Sequence, residues 1–254
     1  MFRDLYYNLF DFVRTFGALQ LFFLQLLIHS PTVIWRRFSL VTAQVHNAGA
    51  LSLVIIIICG FFVGAVLGLQ GFSNLSRFNA EDSVGAVTAL ALVKELGPVI
   101  TALLFAGRAG TALSSEIGLM RATDQLSAME MMAVNPVRRV VVPRFLGGVV
   151  AMPLLAAIFS MVGLLGSHLV CVSLLGVDVG SFWQQMQLSV EIADINEGII
   201  KSIVFGIVAS LIAVWEGYNA IPTAEGVGRA TTRTVVITAI VVLIFDFMIT
   251  AVAI

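Results

Sequence analysis

The sequence predicts an all-α membrane protein: an interfacial amphipathic helix, then five transmembrane helices, with a short cytoplasmic helix joining the second span to the third. Apolar residues make up 59% of the 254 residues and charged residues only 11%, less than half of the roughly 25% that soluble domains carry. Several apolar stretches reach the roughly 20 residues that a helix needs to cross a bilayer. The connections are too short for a soluble domain, so we expect one membrane domain over residues 1–254.

The five spans follow from the hydropathy of successive segments. Residues 47–76 and 145–177 carry no formally charged side chain, and each is long enough for one span. The second span is interrupted by Lys94, Glu95 and Arg108, which predicts that this helix faces protein or a polar cavity rather than lipid. The predicted spans are 48–71, 84–119, 145–175, 197–216 and 234–254.

The N-terminal region, residues 1–46, has two interpretations. Four polar residues repeat at helical spacing opposite apolar ones, as in a helix that lies in the membrane surface: Asp4, Asn8, Asp11 and Thr15. Residues 15–35 are uncharged and could instead form a sixth span. Five spans with a cytoplasmic N-terminus place ten arginines inside against Arg77 outside, as the positive-inside rule favours. We therefore predict five spans and an interfacial helix, with the C-terminus on the outer side of the membrane.

Several classes of function are not supported by the sequence. A net charge of −1 provides no electrostatic surface for nucleic acid. The chain has no GxxxxGK[ST] phosphate loop, no HExxH and no GxSxG motif, so we expect no enzymatic activity and no cofactor in this chain. The three histidines are scattered, which argues against a metal site, and Cys59 and Cys171 lie in apolar runs as packing residues.

A stripe of glycines marks one face of the first span. Gly60, Gly64 and Gly68 recur every four residues, so another helix can approach this face closely. The partner helix can belong to the same chain or to a second copy across a dimer interface, and the spacing does not decide between them.

Charged residues deep in the spans are the strongest candidates for a functional site. Lys94 and Glu95 lie about 16 Å along the second span, and Lys201 and Asp246 on later spans can join them. Charges at such depth are costly unless they pair, face a cavity or bind a polar ligand. The alternative is a salt-bridge set that only fixes helix packing. Pro98 should bend the helix beside the first pair.

The segment between the second and third spans predicts a short helix over residues 123–134. Thr123 or Asp124 can cap its start, and Asn135 before Pro136 ends it. Its methionines suit an adaptable docking surface. The helix can lie against the bilayer, or a cytoplasmic partner can grip it.

Two ordered sequence blocks resemble a known family. The first runs KELGPVITALLFAGRAG over residues 94–110 and continues as EIGLMRATDQL over residues 116–126. The second is GVGRATTRTVV over residues 226–236, followed by Asp246-Phe247. These blocks resemble the MlaE permease family, and the likeness covers nearly the whole chain.

The resemblance implies the membrane subunit of a phospholipid ABC transporter in the inner membrane of a Gram-negative bacterium, where it maintains the lipid asymmetry of the outer membrane. It implies a homodimer with two cytoplasmic ATPases that bind ATP and Mg, a STAS-domain subunit and a periplasmic hexameric MCE-domain protein. Helix 123–134 is then the coupling helix. The implied ATPase contacts are Arg121, Asp124, Gln125, Leu126, Met129, Glu130 and Met132.

The same resemblance predicts a lipid cavity. Leu67, Leu69 and Phe78 would line its apolar part, while Lys94, Glu95, Lys201 and Asp246 would lie near the headgroup. Lys94 stands where arginine is frequent in the family, which replaces a two-pronged contact by a point charge. Two other hypotheses are an ion-coupled secondary transporter, which would use these charges as a relay, and a structural anchor for a lipid-carrier complex.

Overall fold

A computed structural model describes the backbone of residues 2–253 and the side chains of residues 14, 15, 17–35 and 37–252. It contains eight helical segments and no strand within residues 2–253, which confirms the all-α prediction. We number them α1 (Phe2–Arg36), α2 (Phe38–Phe78), α3 (Glu81–Ala122), α4 (Gln125–Met131), α5 (Val137–Leu174), α6 (Val179–Ser189), α7 (Ile192–Tyr218) and α8 (Ala224–Ala253).

Six of these helices are long and apolar enough to cross a membrane. Five of them, α2, α3, α5, α7 and α8, overlap the predicted spans and begin before them, because their polar flanks are helical. Helix α5 ends at Leu174, one residue before the predicted end of the third span, and residue 254 of the predicted fifth span lies outside the described residues. The sixth is the stretch Gly17–Trp35 of α1, which satisfies the same criteria, so five spans plus an interfacial helix stays a prediction. The polar positions Asp4, Asn8 and Asp11 lie outside the side chains that the structure describes.

The bundle has two ends, which we name after the short helices at each. Helices α3 and α7 run from the α6 end to the α4 end, and α5 and α8 run in the opposite direction. Helix α7 is the most buried of the six long helices, whereas α8 presents most of its surface to the outside. Phe105, Phe159 and Phe205 are fully buried where α3, α5 and α7 pack together.

The glycine stripe of α2 packs against α5 within the same chain. A Cβ atom added at Gly64 would lie 1.8 Å from the carbonyl oxygen of Gly163, and one at Gly60 would lie 3.0 Å from that of Phe159. Gly68 approaches Ser167 and Cys171 in the same manner. The stripe therefore allows two helix backbones to touch, and of the two partners that the sequence left open, the structure shows the one inside the chain.

Candidate lipid-headgroup site and coupling surface

The four deep charges that the sequence singled out lie close together near the α6 end of the bundle. The Lys201 ammonium lies 2.9 Å from Glu95 Oε1 and 3.4 Å from Asp246 Oδ1. These contacts join α7 to α3 and α8. Lys94, next to Glu95 in sequence, points to the same group of side chains through carboxylates of α7.

Three further residues, which the sequence analysis missed, complete the network. Glu197 bridges the two lysines, at 3.2 Å from Lys94 Nζ and 3.2 Å from Lys201 Nζ. Asp194 pairs with Lys94 at 3.1 Å, and Lys201 donates a hydrogen bond of 2.7 Å to the Thr250 hydroxyl. Asp194, Glu197 and Lys201 are spaced i, i+3 and i+7, so they share one helix face, and this spacing was the signal that could have found them.

The two lysines differ in how much of each is free to meet a ligand. The Lys201 side chain is 0% exposed. Four oxygen atoms surround its ammonium, which has three hydrogens to donate, so none is left for a ligand. Lys94 is 34% exposed and pairs with only two carboxylates. Glu95 is 36% exposed. Lys94 and Glu95 are thus the accessible part of the network, while Lys201 is its buried centre.

A π-helical turn in α3, Ala91–Leu96, presents Lys94 and Glu95 to the network. Gly97 N–H bonds to the Leu92 carbonyl five residues back, and the Ser160 hydroxyl of α5 donates to that same carbonyl at 3.2 Å. A Cβ at Gly97 would lie 2.3 Å from both oxygen atoms. Pro98 provides no N–H to continue the ordinary ladder. π-Turns inside helices are frequent at functional sites, since they re-aim side chains.

The predicted apolar cavity residues differ in burial and line none of the three cavities that the structure shows. Leu67 is half-buried against the core, whereas Leu69 and Phe78 are exposed, at 46% and 79%. None of the three cavities described here, with volumes of about 330, 230 and 210 Å³, is lined by these three residues. A common cavity for Leu67, Leu69, Phe78 and the charged residues therefore stays a prediction.

The short helix at the other end, α4, is shorter than predicted. It covers Gln125–Met131 rather than residues 123–134, because Asp124 and Ala133 adopt left-handed backbone conformations with φ of 56° and 59°. Neither expected cap forms: the Asp124 side chain makes no cap bond, and the Thr123 hydroxyl donates back to the Leu119 carbonyl.

The side chains of α4 divide into an inner and an outer set. Leu126 is buried and Met129 is half-buried against the hydrophobic core. Met131 and Met132, with exposures of 84% and 68%, point outward. Of the predicted ATPase contacts, those that are exposed are Asp124, Gln125, Glu130 and Met132.

Arg121, another predicted ATPase contact, is half-buried and contacts α7. Its guanidinium donates to the backbone carbonyl of Tyr218 at the end of α7 and lies 5.9 Å from the centre of the Tyr218 ring. An unpaired carbonyl at a helix C-terminus favours such a cation. Tyr218 and Glu130 also border the cavity of about 330 Å³ beside α4.

Two further ion pairs brace the α4 end. Arg144 of α5 contacts Glu116 of α3 at 3.1 Å. Glu216, which is largely buried on α7, lies 3.4 Å from Arg233 Nε of α8. The sequence alone did not predict this partner for Glu216.

Comparison with known proteins places this sequence in a family. The family model described as Permease MlaE matches residues 41–252. The chain is 51% identical over 95% of its length, and 93% of the relative, to the intermembrane phospholipid transport system permease protein MlaE of Haemophilus influenzae. It is 37% identical to a probable ABC transporter permease protein of Rickettsia typhi, with 84% of the chain and 82% of the relative covered.

A plant protein is also similar. The chloroplastic protein TRIGALACTOSYLDIACYLGLYCEROL 1 of Arabidopsis thaliana is 30% identical over 82% of this chain and 59% of the relative. The family match covers the polar network on α3, α7 and α8 and also the α4 region. The chain belongs to the MlaE permease family, a multi-pass membrane protein family whose sequence blocks it carries in order.

Proposed function

We propose that the chain is the membrane permease subunit of an ATP-driven transporter that moves phospholipids between the inner and outer membranes of a Gram-negative bacterium, where it maintains outer-membrane lipid asymmetry. The observation that carries this proposal is the 51% identity, over 95% of the chain, to a permease named for intermembrane phospholipid transport. The chain itself makes and breaks no covalent bond. ATP and Mg belong to a partner ATPase.

The outer surface of α4 supports an ATPase contact. Met131 and Met132 are highly exposed, and Asp124, Gln125 and Glu130 of the same segment are exposed as well. Methionine-rich surfaces adapt their shape to a partner. The α4 end is therefore the cytoplasmic end, and the arginines of the predicted inner segments accord with that orientation.

The polar network supports contact with a lipid headgroup through its accessible members. Lys94 and Glu95 can meet the phosphate and ammonium of a headgroup, because each is about one-third exposed. Lys201 and Asp246 act as the internal counter-charges that hold α7 to α3 and α8. Of the four predicted headgroup residues, Lys94 and Glu95 therefore bind the headgroup, and Lys201 and Asp246 hold the helices in position.

The wider assembly is part of the same proposal. Two copies of the chain would form the core, and each would engage one ATPase, with a STAS-domain subunit bound to the ATPases. A hexameric MCE-domain protein would receive lipid at the α6 end. The exposed apolar surface of α8 leaves room for a second copy.

Reconstitution in proteoliposomes tests the proposal. The chain is co-purified with the ATPase encoded beside it, and transfer of a fluorescent phospholipid to acceptor protein is measured with ATP and with a non-hydrolysable analogue. ATP-dependent transfer that Met132→Glu abolishes is expected. Transfer that needs no ATPase and follows an imposed proton gradient would contradict the proposal and favour an ion-coupled transporter.

A further inference from the structure

A narrow apolar groove runs along the outside of the bundle where α3, α5 and α7 meet. Its volume is about 230 Å³. It is lined by small residues, including Ala156, Ala157 and Gly198, and by the larger side chains of Met161, Leu164 and Ile195.

The two serine hydroxyls in this groove already donate to the protein backbone. The Ser160 hydroxyl donates to the Leu92 carbonyl, and the Ser202 hydroxyl donates to the Ile199 carbonyl at 2.7 Å. An occupant therefore meets only apolar surface and closed hydrogen bonds. Such a lining suits a hydrocarbon chain, since a polar group placed there would lose its own partners.

The groove has the length of one lipid chain. It follows α5 from Pro153 to Leu164, which at 1.5 Å per residue is about 16 Å. Half of the hydrocarbon core of a bilayer is about 15 Å. The groove begins at Leu164 and Ile195, near the α6 end, and continues toward the middle of the bundle, as an acyl chain of one leaflet does.

The charged network lies beside the outer end of the groove. Val93 and Gly198 line the groove, and their sequence neighbours Lys94 and Glu197 form an ion pair of 3.2 Å. Lys94 uses two of its three ammonium hydrogens on Glu197 and Asp194. Lys94 thus presents one free N–H donor next to the Glu95 carboxylate, which is 36% exposed. This pair complements a headgroup that carries a phosphate and an ammonium.

We propose that this groove is an acyl-chain subsite for a zwitterionic phospholipid of the leaflet at the α6 end, whose phosphate meets Lys94 and whose ammonium meets Glu95. The subsite lies on the side of the bundle and binds lipid without a second copy of the chain. It deepens the proposed transport function by giving substrate a lateral seat next to the polar network.

Photo-crosslinking of the full chain tests the subsite directly. The protein is reconstituted in phosphatidylglycerol vesicles with a small fraction of phosphatidylethanolamine that carries a diazirine on one chain. Labelled peptides are then mapped by mass spectrometry. We expect saturable labelling of Met161 and Leu164 that excess unlabelled phosphatidylethanolamine reduces at least fivefold, and that an equal excess of phosphatidic acid, which lacks the ammonium, reduces less than twofold.

Two variants and a matched control make the test specific. Ala157→Phe fills the groove from an exposed position, and Lys94→Gln removes the phosphate contact while the groove stays open. Both should lower the saturable labelling at least fivefold. Ala18→Phe makes the same change at an exposed position of α1 and should alter it less than twofold. Size-exclusion profiles equal to wild type show that each variant is folded.

Lipid that merely surrounds the protein would give labelling that rises linearly with the probe fraction and is equal in Ala157→Phe and wild type. That result would overturn the subsite. Equal competition by both unlabelled lipids would overturn the headgroup assignment. The measurement uses neither ATP nor a partner. If ATP-dependent transfer fails while saturable labelling persists, the transport proposal is wrong and the subsite stands.

Discussion

Removing the buried ammonium of Lys201 should destabilise the protein more than any other single charge removal in the network. In Lys201→Met the side chain keeps a similar length, but Glu95, Glu197 and Asp246 lose a cation that lies 2.9, 3.2 and 3.4 Å away. Breaking a buried ion pair from one side costs about 3–5 kcal/mol. For a chain of this size about 1 kcal/mol moves the melting temperature by roughly 2–4 °C, so we expect a decrease of roughly 6–20 °C.

Lys94→Met is the matched control for this experiment. Lys94 also pairs with two carboxylates but is 34% exposed, against 0% for Lys201. Exposed pairs contribute about 0.2–1 kcal/mol each, so the loss of two pairs should lower its melting temperature by only roughly 1–8 °C. Adding Glu95→Gln and Asp246→Asn to Lys201→Met removes two of the uncompensated charges and should restore at least half of the loss.

Apparent melting temperatures of the purified protein in detergent, read by fluorescence-detected size exclusion at one fixed heating time, measure these differences. Equal shifts for the Lys201 and Lys94 variants would refute the argument that burial sets the cost. So would a Lys201→Met protein that melts within about 2 °C of wild type, because about 2 °C corresponds to less than about 1 kcal/mol. A triple variant less stable than the single one would show that the carboxylates are not the source of the penalty.

Gly64→Ala should prevent close packing of α2 on α5, with a cost of at least about 1–3 kcal/mol and little monodisperse protein on size exclusion. Gly107→Ala, where nothing lies within 4 Å, should behave as wild type. Met132→Glu should abolish co-purification of the ATPase while the melting temperature stays unchanged, since the side chain is 68% exposed; retained binding would exclude this surface. Glu116→Gln breaks a half-exposed pair with Arg144 and should cost at most about 1 kcal/mol in the same melting assay.

Hydropathy predicts the long helices well because a bilayer-spanning helix needs a continuous apolar stretch, and this requirement is local in sequence. It predicts the charged site only in part. The depth of Lys94, Glu95, Lys201 and Asp246 follows from counting residues, but their convergence depends on the rotation of three helices about their axes. Asp194 lay outside the predicted fourth span, residues 197–216, and was therefore not considered as an intramembrane charge.

The limits of α4 were unpredictable for a different reason. Helices that end in a left-handed residue usually do so at glycine or asparagine, and the sequence offers neither at the two turning points. Asp124 and Ala133 adopt this conformation because the chain must leave α3 and enter α5 while Leu126 stays buried in the core. Tertiary packing thus overrides the local signal. The same constraint turns Met129 inward and leaves Met131 and Met132 outside.

Two polar bridges at opposite ends of the bundle hold α8, which otherwise has little buried surface. At the α4 end Arg233 meets Glu216 of α7, and at the α6 end Asp246 and Thr250 meet Lys201 of the same helix. The second bridge shares Lys201 with Glu95, a residue accessible to a headgroup. A ligand that competes for Glu95 would change the strength of the contact between Lys201 and α8. Because the coupling free energy is reciprocal, a movement of α8 that changes this contact would change the affinity for the ligand by the same factor. Through the buried lysine, the proposed headgroup binding and the position of α8 would be parts of a single equilibrium.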